Sequence, residues 1–209
     1  MTDCLALMGV KGGPAIRPGS HMPISMLLQM IVKNIVIDAG LGVTRGICDQ
    51  GVALTDIDLI VITHLHSDHY LELGPLFHTA WTAGLARTIP VIGPKGLDAY
   101  WRGFQQSMAF DIDLRIRDEG RCSFDSLADI HIISDQVTWG DITLHTMRNM
   151  HPPITDTFAL RFENKDHCVV LSGDTAYMPQ MARFAKGADL LVHEAMSVSY
   201  THLRAHETF

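Results

Sequence analysis

The 209-residue chain has only four cysteines, Cys4, Cys48, Cys122 and Cys168, and no two of them form a C-x-x-C pair. That scatter fits reduced core thiols better than a disulfide framework. Long apolar runs are also lacking. The longest, residues 26–32 and 34–39, are too short and too interrupted to cross a bilayer. Near the N-terminus there is an acid, Asp3, but no basic flank and no cleavage-type signal. A cytoplasmic protein with no membrane partner is therefore expected. Positive charge is scarce as well: the formal net charge is −7. This disfavours an extensive nucleic-acid surface but leaves a local basic groove open. No repeat, low-complexity tract or Ser/Gly linker divides the chain.

What is present is apolar residue, at 47%, and histidine, twelve in all. That hydrophobic content predicts a substantial core and excludes disorder. Strands are expected over residues 5–8, 26–31 and 35–38, with a turn at Gly12-Gly13-Pro14 and a hairpin turn at Lys33-Asn34. A short helix over 42–50 precedes a buried strand over 57–63. Helical spacing over 71–85 predicts a buried stripe of Leu71, Leu76, Phe77 and Trp81. A strand over 89–92 and a helix over 96–108 follow. Further strands are predicted over 130–134, 142–147, 157–162, 168–171 and 190–193, with a helix over 177–186. Strand blocks each followed by helices suggest two stacked sheets with helices outside, an α/β architecture.

The most informative segment is His64-Leu65-His66-Ser67-Asp68-His69, directly after the apolar run Leu59-Ile60-Val61-Ile62. In an extended or turning backbone His64 and His66 point to one side, because side chains alternate with period two. Asp68 and His69 follow on the turn. Neutral imidazoles and a carboxylate suit Zn²⁺, Mn²⁺ or Fe, and a cluster this dense suits two adjacent ions better than one. A polar turn of solvated histidines is the alternative reading. Three more candidates stand at predicted strand ends: His151 before Pro152-Pro153, Asp174 in Ser172-Gly173-Asp174-Thr175, and His193 before Glu194. Each alone also reads as a capped or solvated residue; their recurrence after strands, downstream of the cluster, is what carries weight.

In this order the motifs resemble the metallo-β-lactamase superfamily. The His193-Glu194-Ala195 ending and the Gly12-Gly13-Pro14 opening are most similar to its ribonuclease Z and arylsulfatase branch. The resemblance implies an αββα sandwich with metals at one edge between the sheets. It makes residues 1–197 the family domain and 198–209 a non-family tail. By the same resemblance His64, His66 and His151 hold a first metal, Asp68 and His69 a second, and Asp174 bridges the two. Two divalent ions, Zn²⁺ first and Mn²⁺ or Fe as alternatives, would ionise a water and polarise a scissile phosphoryl or carbonyl oxygen. Asp68 would orient or deprotonate that water, and His193 would protonate the leaving oxygen. Asp38, in Ile37-Asp38-Ala39-Gly40, reads equally as a carboxylate orienting a ligand histidine or as a strand-end cap.

The family supplies one more histidine to the second metal well after His-Glu-Ala, so the expected chain is C-terminally truncated, with His206 as a candidate substitute. The leading expectation is a binuclear hydrolase of a small-molecule phosphodiester or related ester; a homodimer is left open. Ribonuclease Z carries a long transfer-RNA arm between the third histidine and the bridging Asp. Here that gap is 23 positions, so a nucleic-acid substrate is the less favoured alternative. An inactive metal-binding remnant is a third reading. A di-iron oxygen reductase is disfavoured, because such proteins place an acid where His66 stands and carry a flavodoxin domain.

Overall fold

The computed structural model describes residues 3–195; the tail from 198 onward and His206 lie outside them. Eleven strands and six α-helices appear among these residues. The first half contains β1 (Cys4–Gly9), β2 (Ser25–Met30), β3 (Lys33–Ile37), α1 (Val43–Asp49), β4 (Leu59–Val61), α2 (Ser67–Tyr70) and α3 (Leu73–Thr82). It continues through β5 (Ile89–Gly93), α4 (Leu97–Ser107), α5 (Ala109–Glu119) and β6 (Ala128–Ile132). The second half contains β7 (Gln136–Trp139), β8 (Ile142–Arg148), β9 (Phe158–Glu163), β10 (Cys168–Leu171), α6 (Gln180–Phe184) and β11 (Leu190–Val192).

Strands β1 to β6 form one sheet in chain order; the other runs β11-β10-β9-β8-β7. Period-two alternation explains how they stack. In β3, Ile35 and Ile37 enter the core between the sheets, while Val36 faces the helices. Around β4, Leu59 and Val61 point inward between the sheets, and Ile60 and Ile62 point out towards α1 and α3. Both faces are covered, so this strand reads as an unbroken apolar run. Burial of each such side chain contributes about 1.5–3 kcal/mol. A smaller cluster of Ala159, Cys168, Val170 and Met181 packs α6 on the far side of the second sheet. The layers are helix, sheet, sheet, helix, the sandwich expected from the sequence.

The sheet topology decides where chemistry can collect. Strands β3 and β4 are parallel, with Ile37 opposite Val61, so Asp38 and Thr63 leave the same end side by side. Strands β8 and β10 both lie antiparallel to β9 and so share a direction; His151 and Asp174 follow their C-terminal ends. Gly40 keeps this edge tight. A Cβ there would stand 2.2 Å from the Asp68 carbonyl oxygen and 2.7 Å from that of Ile24.

Several elements differ from the sequence expectation. The first hairpin turns at Ile31-Val32, two residues before Lys33-Asn34, because Met30 pairs with Lys33 and Gln29 with Asn34. Asn34 is held in the sheet by Asp58 and Gln29. The Asp3 carboxylate accepts the Ile31 amide at 3.0 Å and pins the turn there. The helix predicted over 71–85 is shorter, running as α3 from Leu73 to Thr82; Leu71 lies between α2 and α3 and is 41% exposed rather than part of the stripe, whereas Leu76, Phe77 and Trp81 are buried as expected. Helix α5 and strand β7 were not predicted. Ile112 is the one buried residue of α5, so no apolar stripe announces that helix, and β7 is only four residues long.

Two substitutions test these local accounts. Ile31 and Val32 adopt φ of 48° and 55°, which glycine takes freely and β-branched residues resist. Val32→Gly relieves a cost of roughly 1 kcal/mol, and Val32 is 68% exposed, so little burial is lost. The urea midpoint is expected to rise; a fall would mean the turn is not strained. Gly40→Ala is expected to destabilise by about 1–3 kcal/mol or more through overpacking, with an unchanged midpoint counting against the close approach.

Candidate metal centre

The cluster is built on one buried carboxylate. Asp38 leaves β3 with φ of 58° and is 1% exposed. Its Oδ1 accepts the Thr63 amide at 2.8 Å, and its Oδ2 lies 2.7 Å from His69 Nδ1. Both oxygens also lie within 3.0 Å of the Thr63 hydroxyl. With Nδ1–H committed to Asp38, the atom His69 offers to a ligand is Nε2. Asp38 is thus the orienting carboxylate, one of the two roles the sequence left open.

Around it the ring nitrogens converge. His64 Nε2 stands 3.0 Å from His66 Nδ1, and His151 Nε2 stands 2.9 Å from the same atom. A second group joins His64 with His69 and Asp174, and His64 belongs to both. His69 Nε2 is 3.5 Å from Asp174 Oδ1 and 3.8 Å from Asp68 Oδ2, yet it is buried with no hydrogen-bond partner. An orphaned buried nitrogen costs about 1–3 kcal/mol, and a cation would satisfy it. Tetrahedral zinc at its usual Zn–N distance spaces its donors by about 3.3 Å, close to the spacing seen among the three histidines. The donor set of imidazoles and carboxylates therefore fits divalent cations.

The electrostatics follow from burial and neighbours. Burial, with His69 adding to it, pushes His64 down to about 2, so this ring is neutral and keeps a lone pair for a ligand. Burial also opposes charge on His69, but the Asp38 and Asp174 carboxylates outweigh it and raise that ring to about 10. For Asp174, burial favours the neutral acid, yet its contacts with His69 and the other histidines lower it to about 2. A cation at this position replaces the positive charge that His69 carries between the two acids.

Asp68 is 5% exposed and accepts a short hydrogen bond from the Gly13 amide, in the turn singled out at Gly12-Gly13-Pro14. His193 sits differently. It is exposed at the end of β11, and its Nδ1 meets the Glu194 carbonyl at 2.8 Å. No hydrogen bond or ion pair joins it to the other six residues among the described residues. Further groups place the site, and of these Asn149 and Ala176 give no sequence signal of their own. Asn149 Nδ2 donates to the Ser172 carbonyl at 2.6 Å, and the Ala176 amide donates to the Met150 carbonyl. Glu194 accepts the Thr175 amide at 2.8 Å and donates its own amide to Ser172 Oγ. These bonds tie the His151 loop to the Asp174 turn. Gly173, at φ of 58°, lets that turn pass within contact of the Phe158 carbonyl.

Comparison with known proteins follows this geometry. The family model described as anti-Pycsar protein Apyc1 matches residues 5–209. A ribonuclease Z of Mycolicibacterium gilvum is 30% identical over 174 residues, covering 81% of this chain and 61% of its own length. One from Mycobacterium bovis is 30% identical over 194 residues, covering 90% of this chain and 69% of its own length. The chain therefore spans about two thirds of the length of these curated relatives. Among solved structures, the short form of human tRNase Z superposes with a TM-score of 0.75 at 18% identity, over 99% of this chain and 83% of that one. The metallo-β-lactamase fold protein YhfI of Bacillus subtilis gives 0.68 at 23% identity, over 90% and 69%. Those two likenesses concern the fold alone. With a family model matched across nearly its whole length and ribonuclease Z relatives at 30% identity, the chain belongs to the Apyc1 family, in the ribonuclease Z-like branch of the metallo-β-lactamase superfamily.

Proposed function

We propose that this chain is a binuclear, zinc-dependent hydrolase of small phosphodiesters. The observation that carries the reading is the buried convergence of His64, His66 and His151 with His69 and Asp174. When bound, two divalent cations supply positive charge that acidifies water and offsets charge developing on a phosphoryl oxygen. The side chains do the rest. His64, His66 and His151 would hold one ion and His69 and Asp68 the other, while Asp174 faces both groups, with its oxygens 3.5 Å from His69 and 3.8 Å from His151. Asp68, fixed by the Gly13 amide, orients the attacking water and takes its proton. His193 donates Nδ1–H to the Glu194 carbonyl, so when both ring nitrogens carry protons Nε2–H is the one that would pass to the leaving oxygen.

The relatives' name favours a second reading, a transfer-RNA endonuclease. Two observations weigh against it. Between His151 and Asp174 the chain forms the β9–β10 hairpin, with no room for an inserted arm, and the net charge of −7 repels a polyanion. Among the described residues no helix is long and apolar enough to cross a membrane.

Purified protein is expected to carry two zinc-like ions by elemental analysis and to hydrolyse a chromogenic phosphodiester until a chelator is added. His66→Ala should lose bound metal and turnover together. Full metal content in that variant would refute the ligand assignment. Turnover that survives metal removal would refute the mechanism. A precursor transfer RNA offered in parallel should stay uncut; cleavage at its 3′ side would promote the second reading over the first.

A further inference from the structure

Thr63 forms the step between β4 and the first ligand histidine, and is 1% exposed. Its hydroxyl oxygen lies 3.0 and 2.9 Å from the two Asp38 oxygens and 3.1 Å from His64 Nδ1. It is also 3.4 Å from His69 Nδ1. A hydroxyl has one proton to give and lone pairs to receive, whereas a carboxylate only receives. The hydroxyl proton therefore goes to Asp38, and Thr63 Oγ1 is left as an acceptor. His69 Nδ1 has a closer acceptor, Asp38 Oδ2 at 2.7 Å. His64 Nδ1 has Thr63 Oγ1 as its hydrogen-bond partner among the described residues, and His64 is fully buried, so water does not substitute.

We infer that Thr63 is a positioning residue: its hydroxyl oxygen accepts from His64 Nδ1–H and so leaves Nε2 as the atom aimed at the His66–His151 cluster. The direction of every bond follows. His64 Nδ1–H donates to Thr63 Oγ1, whose O–H donates to Asp38, which also receives His69 Nδ1–H and the Thr63 amide. One carboxylate and one hydroxyl thereby set the ring form of a histidine in each candidate metal group. A valine at position 63 keeps the shape of threonine and leaves His64 Nδ1–H without an acceptor. The alternative ring form, Nε2–H, finds an acceptor in His66 Nδ1 at 3.0 Å but leaves Nδ1 unsatisfied and blocks the ligand atom. Only the metal-affinity arm below depends on the metal-centre reading.

The decisive measurement is made on the full chain without metal, labelled with ¹⁵N-histidine, with His64 assigned by difference from His64→Gln. Long-range ¹⁵N–¹H correlation is expected to show the proton on Nδ1; a proton on Nε2 overturns the inference, whether or not the Thr63 variants fold. Zinc affinity by chelator competition supplies the second arm. Thr63→Val is expected to bind about 10–100-fold more weakly, while Thr63→Ser stays within a few-fold of wild type. Equal affinity in Thr63→Val, or a serine variant as weak as valine, overturns it. A chain with Nδ1–H on His64 that hydrolyses no phosphodiester still supports the role of Thr63 while refuting the proposed substrate class.

Discussion

Everything at the candidate metal centre leans on a carboxylate that water does not reach. Asp38 is held at the exit of β3 by the parallel register that sets Ile37 beside Val61. At that point the chain must turn away from the sheet, and Asp38 does so in the left-handed region, which Asp tolerates better than most residues. A buried ionised carboxylate is expensive unless fully hydrogen-bonded. Here the Thr63 amide, the Thr63 hydroxyl and His69 supply the donors. The cost of burying the acid is met by the groups whose orientation the site needs. Removing the acid would leave three buried donors unpaired, so stability and ligand geometry are coupled through one residue.

The two sheets contribute unequally. The first sheet delivers His64, His66, Asp68 and His69 within a single turn, so their relative placement is local. The second sheet delivers His151 and Asp174 from separate strands, and their placement depends on longer-range bonds. Asn149, Thr175, Ser172 and Glu194 make those bonds, each using backbone groups that the loop would otherwise leave unpaired. The inter-sheet core of Ile35, Ile37, Val61, Leu160 and Leu171 then fixes the distance between the two halves. Packing between the sheets is therefore part of the metal geometry.

Much of this was legible in the sequence because its signals are short-range. The six-residue cluster follows an apolar strand whose alternation puts Leu59 and Val61 on one face and Ile60 and Ile62 on the other. His151 and Asp174 were visible as polar residues directly after strands. The hairpin turn was misplaced because Lys33 and Asn34 look like turn formers, while the true turn is imposed by pairing and by Asp3, which lies 28 positions away. Helix α5 went unseen because a helix with one buried residue has no periodic face to detect. The sequence assigns Thr63 no role, because a threonine at the end of a β-branched strand is ordinary. Its importance arises only when Asp38, from a neighbouring strand, arrives within 3.0 Å.

Charge connects the geometry to the substrate class. Asp38, Asp68 and Asp174 gather negative charge at the site in a chain whose net charge is already −7. Against a phosphodiester that arrangement is repulsive on its own, and His69 offsets only part of it. Two divalent cations, if held there as proposed, would bring four positive charges, more than the three carboxylates together carry, and would change the sign of the local potential. Affinity for an anionic ester would then be a property of the loaded centre, and the remaining acidic surface would disfavour long polyanions that extend beyond it. A short phosphodiester places its single charge at the cations and little elsewhere.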